Sequence, residues 1–236
     1  MADRGLHIGL IGGIGPAATV VYYQRLCREL AARRLPLELT MVQADIHPLI
    51  ANANSDGREA QARIFASLID RLKTAGADCA AITSIGAHFC FEQTRALSSL
   101  PLVSAVAPLD AHFAGQGIDA VGLLGTWVAM RTRLFGLMKR TEALGPDVDF
   151  QEVGQLYQDM AVTGTCPPST REVLFDAGRR MMDRGAKAIV LAGTDLNLAF
   201  DGQDPGFPVI EALDVHVAAL ADLASGRTDL SVIGQS

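Results

Sequence analysis

The sequence predicts an α/β protein of two pseudo-symmetric, doubly wound parallel-sheet domains that present their strand ends to an interdomain cleft. Three observations predict it. Short apolar runs alternate with helix-patterned segments along the chain, as parallel strands joined by crossover helices require. Matching segments recur at an offset of about 110 residues: Val121-Gly122-Leu123-Leu124-Gly125-Thr126 repeats Ile8-Gly9-Leu10-Ile11-Gly12-Gly13, and Pro208-Val209-Ile210-Glu211 repeats Pro101-Leu102-Val103-Ser104. The third pair carries the candidate chemistry. Ala75-Gly76-Ala77-Asp78 leads into an apolar run ending at Ser84, and Arg184-Gly185-Ala186-Lys187 leads into one ending at Gly193, with Gly76 matching Gly185 and Ser84 matching Gly193. The first domain is placed at 1–117, to which 209–236 can pack across, and the second at 118–208.

Taken in order, residues 7–12 form a strand that breaks into Gly12-Gly13-Ile14-Gly15-Pro16, and a helix follows from Ala17 to Ala32. Such a loop turns backbone N–H groups toward an anion at a helix N-terminus, carboxylate as well as phosphate. The pattern is neither GxGxxG nor a P-loop, so a nucleotide fingerprint is disfavoured, and a plain strand-to-helix turn is the other reading. A strand at 37–44 ends in Gln43-Ala44-Asp45-Ile46-His47-Pro48. A polar loop at 52–57 precedes a helix at 59–74, whose Ile64, Leu68 and Leu72 recur every four residues. Strand 79–84, a helix from about His88 to Leu97, strand 102–106 and helix 109–115 complete the first half. In the second, strand 121–126, helix 169–184, strand 186–192 and strand 208–213 repeat the scheme. Gly12 to Thr19 and Ser84 to His88 are then expected to face Thr126 to Met130 and Gly193 to Asn197 across the cleft.

With 236 residues and 49% hydrophobic content, the chain can bury a large core. A net charge of −6, with no Lys/Arg run beyond pairs, argues against a nucleic-acid surface and for a small-molecule partner. No apolar run approaches a membrane span and no signal-peptide flanks are present, so a cytoplasmic protein is expected, with no membrane partner. Cys27, Cys79, Cys90 and Cys166 lack CxxC or metal-ligand spacing, which predicts free thiols, no disulfide framework and no metal.

The ordered set of motifs resembles the cofactor-independent aspartate/glutamate (Asp/Glu/hydantoin) racemase superfamily. Gly12-Gly13-Ile14-Gly15-Pro16 with Ala18-Thr19 and Tyr22-Tyr23 is similar to its opening loop, and Gly122-Leu123-Leu124-Gly125-Thr126 to its second-domain opening. Ala75-Gly76-Ala77-Asp78 with Ala81 to His88 resembles its first catalytic strand, Gly193-Thr194-Asp195-Leu196 its second, and Pro208 to His216 its closing strand and helix. The resemblance implies an isomerase that needs no cofactor, pyridoxal phosphate included, and a small carboxylate-bearing substrate; a homodimer is also expected.

Departures from that pattern fall on the chemistry. Family racemases place a cysteine at each of the two strand ends, one to take the α-proton and one to return it from the opposite face. Here Ser84 and Gly193 occupy those positions, so this chain lacks both catalytic cysteines. A serine hydroxyl has no accessible anion without a partner base. Ile85 and Gly86 replace the Asn-Thr pair that resembles a carboxylate clamp, and Trp127 and Ala129 change polar positions after the second opening loop.

The candidate catalytic residues are Ser84 as a hydrogen-bond donor to a substrate oxygen, Asp195 as a general base, and His88. Asp195 has a second reading as a helix N-cap, and His88 as a packed, hydrogen-bonded core residue. Gly13, Gly15, Asp45, Ile85, Gly86, Thr126, Trp127, Gly193 and Thr194 are the candidate substrate-binding positions. Asp45 with His47 forms either a carboxylate–imidazole pair or a plain loop. Cys166 serves as a displaced thiol only where its Gly164-Thr165-Cys166-Pro167-Pro168 loop folds over the cleft, and His216 and Glu211 read as supporting or surface groups. The function expected is a racemase-superfamily enzyme acting without the two-cysteine mechanism. One-sided lyase, decarboxylase or cyclase chemistry and non-catalytic binding of a small acid are the alternatives.

Overall fold

The computed structural model describes residues 5–13, 15–147 and 150–230; Ile14 of the glycine loop, the leading 1–4 and the closing 231–236 lie outside them. The chain divides into two compact units, Met1–Ala105 with His216–Ser236 and Val106–Val215. The exchange points therefore lie at 105/106 and 215/216, where the sequence suggested 117/118 and 208/209.

In the first unit the elements run β1 (Ile8–Gly12), α1 (Pro16–Ala32), β2 (Leu39–Gln43), α2 (Ile46–Asn54), α3 (Arg58–Thr74), β3 (Cys79–Ile82), α4 (Phe91–Leu97) and β4 (Leu102–Val103). All pairings are parallel, in the order β2-β1-β3-β4. The helix stripe read at Leu68 and Leu72 is buried, joined by Phe65 and Ile69, against a sheet whose Ile8, Leu10 and Ile11 are wholly buried. Each such side chain contributes about 1.5–3 kcal/mol through burial.

Three boundaries differ from the sequence reading. Helix α2 occupies part of the expected loop, because Pro48 falls at its third residue, where a missing N–H costs nothing, and Asp45 caps it. The strand ending at Ser84 stops at Ile82, and a 3-10 turn (Ile85–Cys90) precedes α4, so Thr83 and Ser84 stand beyond the sheet. Strand β4 likewise stops at Val103.

The second unit repeats the scheme with α5 (Ala107–Gly115), β5 (Ala120–Gly125), α6 (Trp127–Arg131), β6 (Glu142–Leu144), α7 (Phe150–Thr163), α8 (Pro168–Asp183), β7 (Ala188–Ala192), α9 (Asn197–Phe200) and β8 (Val209–Glu211). Helix α10 (Ala212–Ala224) begins here, and from His216 on belongs to the first unit. The order β6-β5-β7-β8, again all parallel, reproduces the first sheet. Strand β8 pairs with β7, and Asp110 of α5 accepts the backbone N–H groups of Lys139, Arg140 and Thr141, which accounts for both elements counting with this unit. The echo noted at Gly76 and Gly185 is a shared conformation: both turn with φ of +91° and +105°, a region glycine enters without Cβ strain, at a helix end just before the central strand.

Arg133, Leu134, Phe135 and Gly136 form a left-handed turn after α6, with φ of 52°, 54°, 63° and 69°. Arg133 is exposed and its side chain makes no hydrogen bond among the described residues. A non-glycine residue there costs about 1–2 kcal/mol. Arg133→Gly is therefore expected to stabilise the protein by about 1 kcal/mol and raise Tm by about 2–4 °C in a thermal melt. An unchanged or lower Tm would show that this turn is unstrained.

Candidate active site

In an open parallel sheet, ligands bind beyond the carboxyl ends of strands at the point where strand order reverses. Each unit reverses between its central strands, β1 and β3 in the first, β5 and β7 in the second. These are the ends that carry the candidate residues.

At the first end, Ser84 is half-buried in extended backbone, and a Cβ on Gly13 would lie 3.1 Å from Ser84 Cβ. The Ser84 hydroxyl caps nothing, and Gly15 is the N-cap of α1 without a side chain to offer. Beneath them, the Thr83 hydroxyl donates to Ile11 O at 3.0 Å and accepts from Thr19 at 3.0 Å, tying α1 to the ends of β1 and β3. Gln43 donates to Gly13 O at 2.9 Å and holds the loop from the β2 side. Ile85 is buried and Gly86 half-buried in the turn that follows.

His88 is fully occupied. Its Nδ1 meets Ser84 O at 3.2 Å and its Nε2 accepts the Ala105 N–H at 2.9 Å, so the ring carries its proton on Nδ1 and has no lone pair left for a substrate. Burial lowers its pKa to about 4, and its ring stacks on Phe91. The geometry is that of a neutral tie between strand ends.

The second end is built differently. Thr126 caps α6 by accepting the Ala129 N–H at 3.2 Å, and Trp127 lies under the Arg131 guanidinium, 4.5 Å from the ring centroid. Gly193 N-caps a 3-10 turn formed by Thr194–Leu196. A Cβ at Gly193 would lie 2.4 Å from Cε2 of Tyr157, 2.7 Å from its Cζ and 3.0 Å from its hydroxyl. The tyrosine ring, carried on α7, fills the side-chain space of residue 193. Its hydroxyl donates to Asp195 Oδ2 at 3.2 Å, and both residues are buried, as is Thr194. Burial, then the Asp195 carboxylate, raise the Tyr157 pKa well above 10, so it is a protonated phenol at neutral pH. Asp195 stands inside its turn and not at the N-cap, with its carboxylate engaged from α7.

Other candidates fall elsewhere. Asp45 and His47 are exposed and meet only through backbone, the His47 N–H donating to the Asp45 carboxylate at 3.0 Å. Cys166 lies between α7 and α8 with its thiol on Pro167 O and its pKa raised by burial. Burial raises Cys79 to about 12 and Cys90 to about 11, so neither is a thiolate near neutrality. Glu211 is half-buried at the end of β8. His216, expected as a supporting or surface group, is wholly buried; its Nδ1 meets the Tyr22 hydroxyl at 2.8 Å, and its Nε2 has no hydrogen-bond partner among the described residues.

A family model for Asp/Glu/hydantoin racemase matches residues 11–220. The chain belongs to this family. Among solved structures, it is similar to aspartate racemase from Picrophilus torridus, at 20% identity and a TM-score of 0.76 over 92% of this chain and 94% of that one. An aspartate racemase homologue from Pyrococcus horikoshii OT3 matches at 23% identity and a TM-score of 0.75, over 92% and 98%. A glycine-to-cysteine mutant of arylmalonate decarboxylase matches at 14% identity and a TM-score of 0.53, over 94% of each chain. These likenesses establish the two-domain α/β fold shared across the family. Among the described residues no helix is long and apolar enough to cross a membrane, and no group of three His, Cys, Asp or Glu could hold a metal ion.

Sequence reasoning missed Tyr157. Its helix reads as an ordinary amphipathic segment, and a separation of 38 residues from Asp195 leaves no local signature. The one available signal was negative. A glycine where a family pattern has a side chain leaves a space that some other residue must fill.

Proposed function

We propose that this family member is a cofactor-independent enzyme acting on a small carboxylate-bearing substrate, with proton transfer confined to the second strand end. One observation carries the reading: the end of β7 brings together two ionisable side chains, the Asp195 carboxylate and the Tyr157 phenol, whereas His88 beyond β3 is held by backbone at both ring nitrogens. Racemisation needs an acid and a base on opposite faces of a carbon. A carbanion formed beside a carboxylate by loss of carbon dioxide needs one proton and stabilisation of one developing charge. The Ser84 hydroxyl and the Gly13 N–H, next to each other at the first strand end, are suited to hold carboxylate oxygens. The occurrence of a decarboxylase with this fold is in keeping with such chemistry.

The test is incubation in deuterated water with D- and L-aspartate, D- and L-glutamate, and methylphenylmalonate. The amino acids are expected to show negligible α-exchange, and the malonate to yield a singly deuterated monoacid. Amino-acid exchange at roughly 1 per second or faster would restore two-sided racemisation. Carboxylate binding without any turnover would make the protein a binder.

A further inference from the structure

We propose that Tyr157 is the proton donor of the second strand end, with Asp195 as its positioning residue; this role rests on the one-sided reading above. The hydroxyl stands 3.0 Å from the point a Cβ of residue 193 would occupy, so α7 delivers an O–H to the place that β7 leaves empty. The ring cannot drift from it, because the missing Cβ lets Cε2 and Cζ lie against the Gly193 backbone. Its oxygen is held in place by the 3.2 Å bond it donates to Asp195 Oδ2, and the turn carrying Asp195 is closed by Leu196 N–H on Gly193 O at 3.0 Å. The glycine, the phenol and the carboxylate thus form one interlocked unit drawn from two elements. Nothing in the packing of an amphipathic helix requires a buried phenol against a buried carboxylate; a phenylalanine would fill the same space.

In the step assigned to this unit, the bond to the departing carboxyl group breaks and its electron pair passes into the remaining carboxylate as an enediolate. The phenolic hydroxyl then turns from Asp195, its O–H breaks, and the proton forms a C–H bond with that pair. The phenolate recovers a proton from water, driven by the adjacent Asp195 carboxylate, which disfavours a second negative charge beside it. A phenol held protonated in this way gives up its proton only to a strong base such as a carbanion.

Tyr157→Phe and Asp195→Asn separate this role from packing, with methylphenylmalonate as the probe. Tyr157→Phe keeps the ring against Gly193 and is expected to retain the wild-type melting temperature within a few degrees. Its kcat should fall by on the order of 10² or more with KM little changed. The residual monoacid should be racemic, since water then supplies the proton, where the wild type gives one enantiomer. Asp195→Asn should lower enantiomeric purity and shift the alkaline limb of the kcat profile downward, which a loss of packing alone does not do. An active wild type whose Tyr157→Phe variant keeps both rate and stereochemistry overturns the role of Tyr157. A wild type that turns over none of the compounds overturns the proposed function itself, and the role with it.

Discussion

Restoring a thiol at the second strand end is expected to damage this protein. In Gly193→Cys the new Cβ must enter space held by the Tyr157 ring at 2.4–3.0 Å, well inside any tolerated contact. Tyr157 is 6% exposed on a 14-residue helix, so the ring has no free direction in which to retreat. Overpacking of this kind costs about 3 kcal/mol, the upper end of the usual range, which corresponds to a Tm lower by roughly 6–12 °C. Tyr157→Ala alone leaves a cavity and is also destabilising, by about 3 kcal/mol. The two changes together should cost less than their sum by about 1–3 kcal/mol, since each removes the other's clash or void. Urea unfolding of the four proteins in this cycle measures that coupling. A Gly193→Cys variant as stable as the wild type would mean that Tyr157 does not occupy the site.

Acid is expected to unfold the protein steeply, and through histidines more than carboxylates. Burial lowers His216 to about 3, assisted by the neighbouring His88, and lowers His88 to about 4, from an ordinary 6.5. Around His216 lie the Tyr22 hydroxyl and the His88 ring, and around His88 the Ser84 carbonyl, the Ala105 N–H and Phe91. Both histidines are neutral in the folded state and charge readily once unfolded. Between pH 6.5 and about 4 the unfolded state therefore binds more protons, and stability falls as pH falls. The slope for two such groups is about 2.7 kcal/mol per pH unit, making the protein about 4 kcal/mol less stable at pH 5 than at pH 7. That is a large part of a typical domain's stability. Asp110 acts outside this window. Burial pushes its carboxyl up, but the N–H donors of Lys139, Arg140 and Thr141 outweigh it and hold the pKa below the ordinary 3.8. Its contribution is present above that value and lost only at lower pH. Denaturant titrations at pH 7, 6 and 5 test the slope, and His216→Phe should reduce it by about half. An unchanged slope would show that His216 titrates alike in both states.

The fold was legible in the sequence because its repeat is physical. Gly76 and Gly185 match since both close a helix with positive φ before a central strand, and the apolar runs at 8–12 and 120–125 match since both are buried between parallel neighbours. What escaped depended on contacts distant in sequence. Helix α2 was hidden by Pro48, which reads as a breaker unless its place in the first turn is known. His216 follows a strand and reads as a supporting or surface group until Tyr22, 194 positions away, is seen to meet it. Ser84, His88 and Asp195 stood out at strand ends, yet the sequence alone did not distinguish a hydroxyl that caps nothing, a histidine spent on backbone and a carboxylate bound from another helix. Tyr157 was invisible for the same reason.

One consequence follows from the division of the chain. The second unit is a single uninterrupted stretch, Val106–Val215, whereas the first is assembled from two stretches on either side of it. During synthesis the ribosome therefore completes the later unit before the earlier one. Residues of β1, α1 and β3 emerge first but wait through the whole of the inserted stretch for α10, and until then Tyr22 lacks His216 and Arg33, at the end of α1, lacks Asp222. The long interval leaves the first unit incomplete in the nascent chain, the situation in which chaperone binding and mispairing compete with folding.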